Sequence, residues 1–220
     1  MGKVRTGAID SRRAQRTASL LVRERELWAG GMTRIAGVDE VGVGPLAGPV
    51  VAAAVVFEPG SEIHGVDDSK KLSAERRMAL AVEIRRLAAA WSVVRVEPEE
   101  IDRINVLQAS LSAMRRAVLQ LDPLPERVLV DGRAIPELPI PQETWIKGDA
   151  RCFAIAAASI LAKTSRDALM MGYEDEFPGY GFATHKGYPT AVHREAIRRL
   201  GPSPIHRLSF TLLPQKSLFD

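Results

Sequence analysis

Gly37-Val38-Asp39-Glu40-Val41-Gly42-Val43-Gly44-Pro45-Leu46-Ala47-Gly48-Pro49 is a short apolar run that ends in two carboxylates and opens into a loop of glycine and proline. Carboxylate oxygens gather hard divalent cations, and glycine lets a phosphate or sugar approach the main chain closely. The apolar run predicts a strand over Ile35–Asp39, and Val50–Phe57 after the loop predicts a second, buried strand. Neighbouring residues on a regular strand face opposite ways, so Asp39 and Glu40 can share one ion only if the following glycines twist the chain.

Outward from this segment the pattern alternates between helix and strand. Ala14, Ala18, Leu21 and Trp28 predict one amphipathic helix over about residues 11–29, ended by Gly30-Gly31. Ser73 is placed to cap a helix whose Leu80, Ile84 and Leu87 share a face. Trp91–Val96 reads as a strand. Ile104, Leu107, Leu111, Met114, Val118 and Leu121 predict a single long helix stopped by Pro123 and Pro125. Arg127–Asp131 is a strand ending in an acid, and Glu143–Ile146 a further short strand. An alanine-rich helix spans 153–173, and Thr190 caps another that runs to Leu200. This order predicts an α/β fold with a mixed central sheet flanked by helices on both faces. The divisions are a basic helical extension over 1–34, a core domain over 35–210 and a tail over 211–220.

The chain has 220 residues and a formal net charge of +3. Residues 1–34 hold eight Lys or Arg against Asp10, Glu24 and Glu26, so the positive excess lies on the N-terminal arm. That arm reads either as a solvated helix face or as a surface for a polyanion. The single cysteine, Cys152, excludes an intrachain disulfide and a thiolate zinc site, and reads as a small core residue. No run reaches the ~20 apolar residues of a membrane span, and no secretory h-region opens the chain. A cytoplasmic protein, monomeric by default and without membrane association, is expected.

Asp39, Glu40 and Asp131 stand at predicted strand ends, where functional groups of α/β sheets collect. Asp149 follows in the loop Lys147-Gly148-Asp149. Four acids without histidine or thiolate suit Mg²⁺ or Mn²⁺, and a two-ion site of this kind hydrolyses phosphodiesters. Asp167 competes for the fourth place. On its helix it lies four residues from Lys163, which favours an ion pair instead.

Several segments in register resemble ribonuclease HII: Gly37 to Val56, Asp68-Ser-Lys-Lys-Leu72, Asp131-Gly132, Lys147-Gly-Asp149, Ala156 to Asp167, Tyr180 to Tyr188 and Leu200 to Phe210. The resemblance implies an RNase H-like fold. It also implies an endoribonuclease that cuts the RNA strand of RNA/DNA hybrids and nicks duplex DNA 5′ of embedded ribonucleotides, leaving 3′-hydroxyl and 5′-phosphate ends. It assigns catalysis and metal binding to Asp39, Glu40, Asp131 and Asp149. Substrate contacts fall to Gly42, Val43, Gly44, Lys70, Asn105, Lys163 and Tyr188. Lys70 also reads as solvated, and Asn105 as a helix cap. The family's Gly-Arg-Gly triplet is Gly42-Val43-Gly44 here, which implies weakened recognition of the RNA–DNA junction. A hybrid-binding protein with little catalysis is the alternative. Gln215, Leu218 and Phe219 resemble the short peptide by which bacterial replication proteins dock on the sliding clamp.

Overall fold

A computed structural model describes residues 2–214, with side chains from residue 11 onward. Five strands form one sheet in the order β3-β2-β1-β4-β5. They are β1 (Ile35–Val41), β2 (Val50–Val56), β3 (Ala90–Val96), β4 (Arg127–Asp131) and β5 (Gln142–Trp145). The first three pair antiparallel, while β4 joins β1, and β5 joins β4, in parallel. Eight helices accompany them: α1 (Gly2–Leu20), α2 (Val22–Ala29), α3 (Ala74–Leu87), α4 (Pro98–Ile104), α5 (Val106–Leu119), α6 (Phe153–Glu176), α7 (Phe182–His185) and α8 (Ala191–Leu200).

The period of two along β1 sorts its residues between two cores. Ala36 and Val38 face α4 and α5, with Ile101, Ala113 and Met114. The opposite face of the sheet, with Val51, Ala53 and Val55, receives α3 and α6 through Leu80, Ile84, Phe153 and Ile160. Gly37 lies on this α6 side, where a Cβ would stand 2.1 Å from the backbone carbon of Ala154. That close approach brings α6 flat against the central strand.

Two expected single helices are pairs. The N-terminal helix begins at Gly2 and is interrupted at Leu21, after which α2 begins. Leu20 and Leu21, on either side of the break, are both buried against the α3–α6 face. The long helix expected across Ile104–Leu121 divides at Asn105, whose φ of 65° is incompatible with a continuing right-handed helix. The Asn105 Oδ1 accepts hydrogen bonds from Leu107 N and Gln108 N, so it caps α5, as the cap reading expected. Ser73 and Thr190 likewise cap α3 and α8.

Gly37→Ala is expected to lower stability by about 1–3 kcal/mol, because the methyl group meets backbone and not a yielding side chain. Urea unfolding of the variant measures it, with an unchanged midpoint contradicting this account of α6 packing.

Candidate active site

The parallel register of β1 and β4 ends at Val38 opposite Val130, so the next residues, Asp39 and Asp131, emerge side by side at the carboxyl ends of adjacent strands. The twist that would let Asp39 and Glu40 share one ion does not occur within β1. The ladder to β2 continues in register through Glu40 and Val41, so Asp39 and Glu40 keep opposite faces. Asp39 is buried on the α6 side near Ser159, and Glu40 reaches toward Ser110 of α5. The two acids straddle the strand end.

Asp131 Oδ1 accepts the Gly148 N–H at 2.6 Å, which ties β4 to the 3₁₀ turn Gly148–Ala150. Gly148 has to be small there, since a Cβ would approach Ile155 Cδ1 to 2.6 Å. Asp149 in this turn is buried, and Lys70 Nζ of the 3₁₀ turn Ser69–Lys71 stands 3.4 Å from its Oδ2. Asp68 orients that turn by accepting the Lys70 N–H.

Crowded anions leave an electrostatic signature. Burial first, then repulsion from Glu40 and Asp131, holds the Asp39 carboxyl well above its usual range. Glu40 is raised by burial and by Asp131, and Asp131 by burial and by Asp149. Burial lowers the Lys70 ammonium, but Asp149, Asp68 and Asp39 outweigh it, and the net displacement is upward. Among the described residues, no three Asp, Glu, His or Cys side chains converge tightly enough to grip an ion as they stand. The donor set nevertheless fits a hard cation: all four groups offer oxygen, and the buried Glu40 Oε2 has no hydrogen-bond partner. A divalent ion would relieve the repulsion that adds to burial in raising Asp39, Glu40 and Asp131.

Beside the acids runs a groove of about 340 Å³ lined by Glu40, Asp131, Gly132 and Arg133, with an apolar wall from Val43, Leu107, Leu111 and Met114. Val43 is 38% exposed and belongs to the apolar wall. The Tyr188 ring lies across Gly44, its Cε1 3.7 Å from where a Cβ would be. The glycine loop and Tyr188 therefore form one surface next to the carboxylates. Lys163 does not join it freely, since its Nζ is 2.6 Å from Asp167, which Arg77 also approaches. Asp167 is thus held in ion pairs, while Asp149 stands beside Asp131. Asn105 sits at the head of α5, next to groove residue Leu107, with its carbonyl engaged by the cap.

Two arginines missed in the sequence hold the loop. Arg166 is fully buried and donates to the carbonyls of Ala47, Pro49 and Lys186. Arg207, equally buried, donates to those of Gly42, Val43 and Gly48. Burial lowers these guanidiniums to about 10 and about 9, so both stay charged at neutral pH. Gly42, at φ 96°, leaves room for Arg166, whose Nε would lie 2.4 Å from a Cβ. The signal available was position only: Arg166 precedes Asp167, and Arg207 follows His206, inside the two segments already singled out.

The N-terminal helices also reach the site. Glu24, 1% exposed, accepts Ala154 N–H at 2.8 Å and the Cys152 thiol at 3.1 Å, so it caps α6, whose own N-cap residue offers no side-chain bond. Arg16 donates to Ala150 O at 2.9 Å and pairs with Asp67. Arg23 makes a forked pair with Glu143 of β5.

A sheet with acids at the carboxyl ends of its central strands, flanked by a glycine loop and an apolar groove, defines a class of α/β proteins that carry their functional groups at the strand ends. The comparisons narrow it. The sequence profile described as Ribonuclease HII matches residues 36–213. The chain is 57% identical over 197 residues to the ribonuclease HII of Myxococcus xanthus, covering 89% of this chain and 67% of that protein. It is 55% identical over 196 residues to that of an Anaeromyxobacter species, covering 89% of this chain and 62% of that one. The chain thus spans about two thirds of the length of these relatives. A ribonuclease HII of Archaeoglobus fulgidus, solved in complex with PCNA, superposes with a TM-score of 0.70 at 30% identity, covering 84% of this chain and 98% of that one. The chain belongs to the ribonuclease HII family, and is a ribonuclease H by kind.

His185 stacks on His193, whose Nε2 lies 3.1 Å from His206 Nε2 and whose Nδ1 lies 2.9 Å from Tyr188 O. Burial lowers His193 to about 4, below its ordinary value, with His185 and His206 adding repulsion. The unfolded chain therefore binds the proton first, and stability falls as pH drops from about 6.5 toward 4. Urea midpoints across that range are expected to fall more steeply in the wild type than in His193→Gln. Separately, Arg207→Met strands three carbonyls and should lower stability by roughly 3 kcal/mol or more, read by thermal unfolding.

Proposed function

We propose that this ribonuclease cleaves the RNA strand of RNA/DNA hybrids and nicks duplex DNA on the 5′ side of an embedded ribonucleotide. The observation that carries this reading is the adjacency of the four acids to the Gly42–Gly44 loop and Tyr188. Glu40 and Asp131 line one groove with Val43 of that loop, and the Tyr188 ring lies against Gly44 of the same loop. Asp39, Glu40, Asp131 and Asp149 are the residues that would hold Mg²⁺ or Mn²⁺, in a two-ion site. The cation supplies Lewis-acid stabilisation of the charge that develops on the phosphate. Lys70 holds Asp149 in place and offers its ammonium toward the phosphate; Asn105 retains its amide N–H₂ for the same purpose, and Lys163 would have to exchange its pairing with Asp167.

The backbone of Gly42 and Gly44, braced by Arg166 and Arg207, is the element that would read the ribose 2′-hydroxyl, the group that separates RNA from DNA. The Tyr188 ring is placed to stack on the neighbouring sugar. Val43 brings no charge to this surface, so positioning rests on the main chain and the ring. A role confined to binding hybrid duplexes gains nothing from four acids facing phosphate. In-line hydrolysis at this site leaves a 3′-hydroxyl and a 5′-phosphate.

Around the site, residues 1–34 act as a helical extension to the catalytic body over 35–210. Gln215, Leu218 and Phe219 lie outside the described residues. As a sequence they support docking on a sliding clamp, and the Archaeoglobus relative in complex with PCNA offers a parallel. No helix among the described residues is long and apolar enough to cross a membrane. A monomer working in the cytoplasm on nucleic acid completes the reading.

The test is a labelled duplex carrying one ribonucleotide, incubated with Mg²⁺ or Mn²⁺. A nick 5′ of that ribonucleotide is expected, lost on chelation, and slowed at least about a hundredfold in Asp131→Asn, where several kcal/mol of charge stabilisation disappears. Val43→Arg is expected to improve single-ribonucleotide nicking by a factor of about 10 to 100, the worth of one charge-assisted hydrogen bond. Equal rates for Val43→Arg and wild type would refute the assigned role of that position.

A further inference from the structure

α1 and the loop before α3 enclose a second cleft. It measures about 300 Å³ and is lined by Arg12, Arg13, Arg16 and Arg76, with Asp67 and Leu72. Among the described side chains, Arg12, Arg16 and Arg76 line the cleft with one carboxylate, Asp67, which Arg16 and Lys71 already engage. The local charge is strongly positive. Arg12 and Arg16 are four residues apart and share a face of α1. Arg76 is fixed from the opposite wall by its hydrogen bond to His64 O.

We propose that this cleft is a second phosphate contact, which takes the nucleic-acid backbone beyond the scissile position. Guanidinium forks suit phosphate oxygens, and a row of them on one helix suits a ligand that repeats its charge. Continuity with the reaction site favours a duplex over a free anion. Arg16 is at once a wall of the cleft and the donor to Ala150 O, next to Asp149. A strand passing the acids therefore meets α1 as it leaves. Most of the cleft's charge comes from residues before position 36, where the profile match begins. The inference depends on the proposed nuclease function only for where the scissile strand lies.

The experiment uses the full chain in EDTA with fluorescent all-DNA duplexes, short (~8 base pairs) and long (~24 base pairs), titrated between about 50 and 200 mM salt. Arg12→Gln and the double variant Arg12→Gln/Arg76→Gln leave Arg16 and the catalytic turn intact. For the long duplex, the slope of log affinity against log salt is expected to fall by about 1 in the single variant and about 2 in the double. The short duplex should respond less. The single variant, on an exposed helix surface, keeps the result interpretable if the double one folds poorly. Unchanged slopes overturn the proposal. So does a cleft that inorganic phosphate protects against thermal unfolding in wild type only, while duplex slopes stay put, because that marks a free-anion site. Wild-type nicking with unchanged slopes would reject the cleft and spare the nuclease reading; altered slopes without nicking would do the reverse.

Discussion

The glycine loop beside the acids depends on two charges sealed inside the protein. A loop built from Gly42, Gly44, Gly48 and two prolines has little intrinsic reason to hold one shape, and a flexible loop cannot distinguish one sugar from another. Arg166 and Arg207 supply the missing order. Between them they collect carbonyls from Gly42, Val43, Ala47, Gly48, Pro49 and Lys186, joining the loop to α6, to the Tyr188 turn and to the C-terminal segment. Carbonyl dipoles compensate the buried charge without a carboxylate, so the cations add positive potential beneath a surface assigned to a polyanion.

The acids present the opposite problem. Nothing in folding favours placing Asp39, Glu40, Asp131 and Asp149 in one neighbourhood, and the raised carboxyls record that conflict. Three devices contain it: strand alternation puts Glu40 on the far face from Asp39, the Gly148 amide satisfies Asp131, and Lys70 approaches Asp149. Perturbed groups gathered in this way mark functional sites more often than structural ones. Here the perturbation falls on Asp39, Glu40 and Asp131, three of the four acids proposed to act together.

The sheet and both flanking layers were legible because the relevant signals are local. Val50–Val56 is a continuous apolar run, Asp131 ends a short one, and Ser73 and Thr190 announce their helices. Asn105 was legible as a cap, but not as a break, because Ile104 and Leu107 keep helical spacing across it. The turn at Leu21 was hidden similarly, since Leu20 and Leu21 are apolar on either reading. What sequence could not yield was every contact between remote segments. Arg166, Arg207, Glu24 and Arg16 look like ordinary charged residues on helices or in a tail. Their roles appear only once the partner carbonyl or amide, up to 165 residues away, is brought beside them.

Glu24 illustrates what such long-distance pairing entails. The first amides of α6 find their acceptor in a segment that leaves the ribosome some 130 residues earlier. During synthesis this carboxylate waits, uncovered and hydrated, until the helix it serves exists; only then does it become buried. The unit that folds cooperatively is therefore larger than the stretch the family profile recognises. A version trimmed to residues 36–213 would expose the start of α6 at the very end that adjoins Asp149.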